Sequence, residues 1–261
     1  MTAVTDTPLG VEQLREAYRW ARARTAVASV LGGGDVVTVL AAHGGAGAST
    51  LALALAESLA ATRPTRLVDV AEPVRSGLTC ASTTELGPDG TGWLLGRRGD
   101  LQVDRRDPGS EPAGVVPPPR APEPGQVVVI DQGTQDLGSW EAAARSGGGL
   151  VVAALATAPS VQAALRLLED HPDAVLVLVD GPHRTGRRLR TPGQSVAPDR
   201  VVRVPYLRRL LASGLTADPL DRRLLAAGER VRQLLRPRPA AVGGGDLIGD
   251  SLIRELEGEE R

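Results

Sequence analysis

The sequence predicts an α/β fold, with three layers around a doubly wound, mostly parallel sheet. Three observations carry this. Residues 36–61 run from an apolar strand through a glycine-rich turn into a helix-forming stretch. Later runs at 126–131 (QVVVID), 149–155 (GLVVAAL) and 174–180 (AVLVLVD) are apolar nearly throughout rather than alternating. Strands of that kind, separated by helices, belong to a parallel sheet covered on both faces. Finally, Asp69, Asp131, Asp180 and the glycine turn all fall at the carboxyl ends of strands, where open α/β sheets place ligands.

Taken in order, residues 11–31 have helical spacing, with Val11, Leu14, Tyr18, Val27 and Leu31 on one face and Arg15, Arg19, Arg22 and Arg24 giving a basic side. Such a helix packs on its own domain or lies on a membrane surface. Gly32-Gly33-Gly34 breaks it. Val36, Val37, Val39 and Leu40 form a β-branched strand, and a helix is expected to begin near Ser49 or Thr50. Residues 65–69 read as a second strand. Residues 83–125 are rich in Gly, Pro and charge, including Pro117-Pro118-Pro119. Within them 92–103 can form a small hairpin with Arg98-Gly99 near the turn, and the remainder is expected to be loop. The strands at 126–131 and 149–155 follow, then a helix over 160–169 after Pro159. A strand over 174–180, a short strand over 201–204 and an amphipathic helix over 219–235 complete the domain. Residues 237–245 (PRPAAVGGG) read as a flexible linker to an acidic segment, DSLIRELEGEE. That segment is either a solubilising tail or a tethered binding peptide. The organisation expected is therefore an N-terminal helix and linker (1–34), an α/β domain (35–235) with a Gly/Pro-rich loop insertion at 83–125, and a linker with acidic tail (236–261).

Composition narrows the function. The net charge of −1 over 261 residues gives no global field toward nucleic acid or membrane. A single cysteine, Cys80, excludes an internal disulfide. The first residues have neither a basic nor an apolar signal region, and no apolar stretch is long enough to span a bilayer, so a cytoplasmic protein is expected. All 30 basic residues are arginine; there is no lysine. His43, His171 and His183 are scattered, so no zinc or haem site is expected. No Gly-x-Ser-x-Gly elbow marks a serine nucleophile. Arg184, Arg187, Arg188 and Arg190 lie in a Gly/Pro-bounded stretch that can meet DNA phosphates or anionic lipid, or simply be solvated.

The chemistry concentrates in the glycine turn. Gly44, Gly45, Ala46 and Gly47 carry almost no side chain, so backbone amides can approach an anion closely. The free N–H groups of the following helix start point at the same place. In working phosphate loops a lysine directly precedes the Ser/Thr and neutralises the β- and γ-phosphates. Here that position is Ala48.

The stretch His43-Gly44-Gly45-Ala46-Gly47-Ala48-Ser49-Thr50 resembles the deviant Walker A loop of the MinD and ParA ATPases, P-loop proteins of the SIMIBI class. Glycines and hydroxyls match and both motif lysines are missing. LVDVAEP keeps Asp69 of that family's Asp-x-Asp element, with Glu72 displaced by one position. VVVIDQG keeps its Walker B aspartate as Asp131. VVAALATAPSVQAALRLL and VVRVPYLRRLLASGL resemble its later strand–turn–helix units. The likeness covers about residues 35–235.

The resemblance implies ATP or ADP held by residues 44–50, magnesium on Ser49 with Asp131 as its carboxylate, and Asp69 orienting the attacking water. It also implies a signature lysine reaching across a homodimer, a position filled here by His43. Without either lysine, nucleotide binding is expected to be weak or lost and hydrolysis lost. The expected function is that of a partner-binding or scaffolding pseudo-ATPase of a bacterial partition, conjugation or secretion-type system. The alternatives are an active ATPase using an arginine such as Arg75 or one from the 184–190 loop, and a DNA-binding module through that loop. The N-terminal helix and the acidic tail are the expected protein-partner elements; a DNA or membrane surface is the other partner weighed.

Overall fold

Strand β1 (Asp35–Ala41) occupies the middle of the sheet because Val36, Val37, Val39 and Leu40 are buried on both of its faces. The computed structural model describes residues 35–71, 73–109, 116–134, 149–169, 171, 173–181 and 197–235. Helix α1 (Ala48–Ala60) follows the glycine turn, and β2 (Thr65–Asp69) returns beside the centre. An antiparallel meander comes next, β3 (Thr84–Pro88), β4 (Trp93–Arg98) and β5 (Leu101–Arg106). Then come β6 (Val127–Gly133), β7 (Gly149–Leu155), α2 (Ala158–Leu168), β8 (Val175–Val179) and β9 (Val201–Val204). Helices α3 (Arg208–Ser213) and α4 (Arg222–Leu234) follow.

The sheet order is β3-β4-β5-β2-β6-β1-β7-β8-β9. All pairings from β5 to β9 are parallel; those of β3 with β4 and β4 with β5 are antiparallel. The chain thus builds outward from β1 in one direction through β2 and β6, then in the other through β7 to β9. The turn after β1 lies where the direction reverses, the crevice in which doubly wound sheets bind ligands.

Alternation along the strands divides the core between two faces. Val37, Val39, Leu67, Val129, Val151 and Val177 pack against α1 and α4. Leu40, Val152, Ala154, Leu176 and Leu178 pack against α2. Helix α1 is Ala- and Leu-rich, a composition of high helix propensity, and nearly all round it is buried between the sheet and α4. Pro64 ends the continuation of the helix. Helix α4 lies close because it presents Gly228: a Cβ there would stand 2.4 Å from the carbonyl oxygen of Ala54. Asp221 caps α4, its carboxylate accepting the Arg223 N–H at 2.8 Å.

Most expected elements are present with shifted ends. The helix expected at Ser49 or Thr50 starts at Ala48, the one expected from 160 starts at Ala158, and the one expected from 219 starts at Arg222. The segment expected to be a hairpin within a loop is corrected further. Strands β4 and β5 form the hairpin, but β3 adds a third strand that sequence reasoning left as loop. Its residues, TELGP, are mostly exposed and show no apolar alternation, so only ladder bonds to β4 make it a strand. Residues 116–120 are irregular but packed. Val116 joins Val36, Val68, Val70, Trp93, Val128 and Ile130 in a third apolar cluster. Trp93 Nε1 donates to the Pro118 carbonyl at 3.1 Å, and Arg66 donates to that of Arg120 at 2.6 Å. Among the described residues no helix is long and apolar enough to cross a membrane. The N-terminal helix, the 184–190 arginines, Glu72, His183 and the acidic tail lie outside the described residues.

Candidate functional site

The turn after β1 has the shape of an anion cradle. Gly45 and Gly47 adopt φ of 78° and 91°, a left-handed backbone that residues with a Cβ rarely take. A Cβ at Gly44 or Gly45 would meet nothing within 4 Å, so the outer side of the turn is open. The first bond of α1 runs from the Leu51 N–H to the Gly47 carbonyl at 3.0 Å. The preceding amides of Ala48, Ser49 and Thr50 belong to the helix start that has no intrahelical acceptor. Ala46 and Ala48 point inward, at 0% and 4% exposure. The position that would carry a lysine is a methyl group in the core.

Two carboxylates stand under the turn. Asp69 at the end of β2 and Asp131 on β6 are register partners, 1% and 0% exposed. Asp69 Oδ1 accepts the Ala71 N–H at 3.0 Å and its Oδ2 accepts the Ser76 hydroxyl. Asp131 Oδ1 accepts the Gly133 N–H at 3.0 Å, while its Oδ2 is buried without a hydrogen-bond partner. Burial, then the neighbouring charge of Asp131, pushes the Asp69 carboxyl up to about 7; the Ser76 and Ala71 bonds and the Arg105 charge oppose this. Burial likewise raises Asp131, against the opposing pull of the Ser49 hydroxyl and the Gly133 amide. Arg105 lies on β5 in register with Asp69 on its other side. Its guanidinium is committed elsewhere, to the Thr79 carbonyl and the Glu85 carboxylate.

Compared by sequence, the chain matches no protein-family model and no curated protein. Compared by structure, it is similar to the MinD cell division protein of Aquifex aeolicus at a TM-score of 0.51 and 14% identity, covering 77% of this chain and 97% of that one. The MinC:MinD cell division protein complex of the same organism matches at a TM-score of 0.52 and 14% identity, covering 77% and 95%. This chain has the MinD-like P-loop fold. A ParA family ATPase from Chlorobium tepidum TLS superposes at 0.46 with 13% identity, over 77% of this chain and 92% of its own.

Within this P-loop fold the structure brings together residues 44–50, Asp69 and Asp131. It also brings in residues the sequence did not single out. After β2 the chain makes a short 3-10 turn (Pro73–Arg75) and then doubles back across the site. A Cβ at Gly77 would stand 2.9 Å from Ser49 Cβ and 3.1 Å from its Oγ, so the Gly77 backbone rests on that side chain. Ser76 bridges Asp69 and the Leu78 N–H, the latter at 3.1 Å. Serine and glycine recur throughout this chain, and nothing local marks these two.

His43 does not extend outward as a charge carrier. One ring nitrogen, Nδ1, lies 2.8 Å from the Gly44 carbonyl oxygen and must be the donor there. Nε2 lies 2.7 Å from Ser160 Oγ, which in turn accepts the Leu155 N–H at 2.8 Å. For a neutral ring the Gly44 contact selects the Nδ1–H tautomer, and the Ser160 hydroxyl then donates to Nε2. His43 thereby ties the P-loop to the first turn of α2. Asp180, the third strand-end carboxylate, makes a 3.1 Å ion pair with Arg203. Arg75 is exposed on its 3-10 turn.

A magnesium ion is the metal this fold implies. The Ser49 hydroxyl and the unpartnered Asp131 oxygen are hard oxygen donors of the right kind. These donors fit the ion; Gly77 packs against the Ser49 side chain and Ser76 donates to Asp69, and neither takes the Asp131 oxygen.

Proposed function

We propose that this chain is a pseudo-ATPase, a MinD-like P-loop fold used for partner binding or scaffolding rather than hydrolysis. The setting we propose is a bacterial partition, conjugation or secretion-type system. The single observation behind this reading is Ala48, whose buried methyl occupies the place of the phosphate-neutralising lysine. Removing a charge clamp of that kind costs on the order of 3–6 kcal/mol of transition-state stabilisation, or ~10²–10⁴ in rate. P-loop hydrolysis is slow without help, so what is left is negligible. Nucleotide binding is weak or lost, the backbone amides of 44–50 being its remaining support.

Among the described residues Arg105 lies beside Asp69, and its terminal nitrogens already bind Thr79 and Glu85. His43 is tied within its own chain to Ser160. Partner binding is the use this reading assigns to the scaffold. The complex of MinD with MinC is an instance of partner binding on this fold. Here the N-terminal helix and the acidic tail are the elements we assign to that role, with a homodimer as the form that presents them.

Phosphate release with ATP and magnesium tests the reading. Release is expected at background. Release well above background that disappears in Asp131→Ala would overturn it and favour an arginine-dependent ATPase.

A further inference from the structure

Gly77 is a glycine for reasons of space rather than of backbone freedom. It is not among the glycines with positive φ. A Cβ there would stand 2.9 Å from Ser49 Cβ and 3.1 Å from Ser49 Oγ. Ser49 Cβ is bonded to the backbone of α1, so it cannot swing aside as the far end of a long side chain can. At Gly44 and Gly45, by contrast, a Cβ would meet nothing within 4 Å. The Ser49 side chain thus lies in room that the missing side chain of Gly77 leaves.

Neither partner in this contact is free to retreat. Ser76 donates its hydroxyl to Asp69 and accepts the Leu78 N–H at 3.1 Å. Leu78 and Ala81 are fully buried, Arg105 holds the Thr79 carbonyl, and Arg98 holds that of Ala81 at 2.8 Å. On the other side Ala48, Leu51 and Ala52 bury the first turn of α1. The Ser49 hydroxyl is also the polar neighbour that favours the charged form of Asp131, whose Oδ2 has no hydrogen-bond partner.

We propose that Gly77 is a positioning residue for magnesium: by carrying no side chain, it leaves the Ser49 hydroxyl where it can serve the ion together with the free Asp131 oxygen. The proposal rests on the reading of the glycine turn as a remaining support for nucleotide. Ser49 and Asp131 supply the donors, and Gly77 acts only through Ser49. Magnesium demands near-ideal placement of its oxygen donors. A methyl group at position 77 presses on Ser49 Cβ and Oγ together, so it displaces the donor and spares the amides of Gly44 to Gly47.

The test is ADP binding by calorimetry to the full chain, with magnesium and with a chelator. In the unmodified chain magnesium is expected to tighten binding about tenfold. Gly77→Ala is expected to remove that gain and to keep the affinity in chelator within about twofold. No tightening by magnesium in the unmodified chain overturns the proposal. So does a Gly77→Ala chain that keeps the gain, or one that loses affinity equally in both conditions, which is the mark of a merely structural role.

Two further readings do not depend on that variant binding ADP. In urea, the stability lost in Gly77→Ala is expected to shrink by at least about half when Ser49→Gly is the background, because the Cβ it strikes is gone. Additive losses overturn the contact. In the unmodified chain, manganese(II) added with ADP is expected to broaden the amide resonances of Ser49 and Gly77 first. Gly125, ahead of β6 at the opposite end of the strands, is expected to persist. Broadening that spares Ser49 and Gly77 overturns the proposal. Phosphate release is a separate assay, so background release beside a failed magnesium test leaves the pseudo-ATPase reading standing.

Discussion

Asp69 and Asp131 face one another across the β2–β6 ladder as register partners, both excluded from solvent. Two carboxylates that close and that dry do not ionise together readily. Both have their protonated forms favoured, Asp69 to about 7 by burial and then by Asp131. The folded chain therefore holds protons that the unfolded chain releases near the ordinary value of 3.8. By linkage, this contribution is fully present below that value and is lost as pH rises through about 7. Urea midpoints are expected to fall between about pH 4 and about pH 7. Asp131→Asn is expected to flatten that fall and to raise stability at the alkaline end. A midpoint that climbs with pH over this range would contradict the assignment.

Ala48 is the second point of test. Ala48→Lys returns a cation to the helix start beside the open turn. One added charge-assisted hydrogen bond is about 1.5–3 kcal/mol, so ADP affinity in the presence of chelator is expected to rise about tenfold or more. Calorimetry of the variant against the unmodified chain measures it. No gain would mean that the turn is only a strand-to-helix connection.

Helix α4 meets α1 at Gly228, where a Cβ would stand 2.4 Å from the Ala54 oxygen and 2.6 Å from its carbonyl carbon. Backbone cannot yield there as a flexible side chain can. Gly228→Ala is expected to separate the helices and lower stability by about 1–3 kcal/mol, read from the urea midpoint at constant m. Gly44→Ala, in open space, is expected to change stability little.

Arg98 ties distant segments together. Its guanidinium reaches Glu57 on α1 and the carbonyls of Ala81, Thr216 and Asp218. Only a planar fork of donors serves so many directions at once. Arg98→Met leaves the buried Ala81 carbonyl, two partly buried carbonyls and the Glu57 carboxylate without partners and is expected to cost about 2–4 kcal/mol. Arg98→Lys is expected to recover less than half of that loss by the same denaturation measurement.

Ser160 is 2% exposed and links His43 to the Leu155 amide. Ser160→Ala orphans both partners and is expected to cost about 1–3 kcal/mol. It is also expected to speed hydrogen exchange over residues 43–47, where the loop loses its tie to α2. Unchanged exchange there would mean that the turn is rigid through its own backbone alone.

The sequence by itself determined the parallel sheet, the strand–turn–helix around residues 44–50 and the strand ends that carry Asp69 and Asp131. Those follow from local signals: β-branched apolar runs, glycines where side chains are excluded, and carboxylates at fixed strand positions. The sequence also showed that Ala48 stands where a lysine would. Only the tertiary structure decided that β3 is a strand, because its bonds come from β4 and not from its own residue pattern. The same is true of residues 116–120, which look like a Pro-rich loop and become cover for Trp93 and Val68. The closure of Ser76 on Asp69 and of Gly77 on Ser49 leaves no local mark either. It arises because β5 and β2 are neighbours, so Arg105 and Asp69 can both hold the chain that runs between them. Periodicity reports which side of an element is buried; it carries no information about which distant side chain will fill the space.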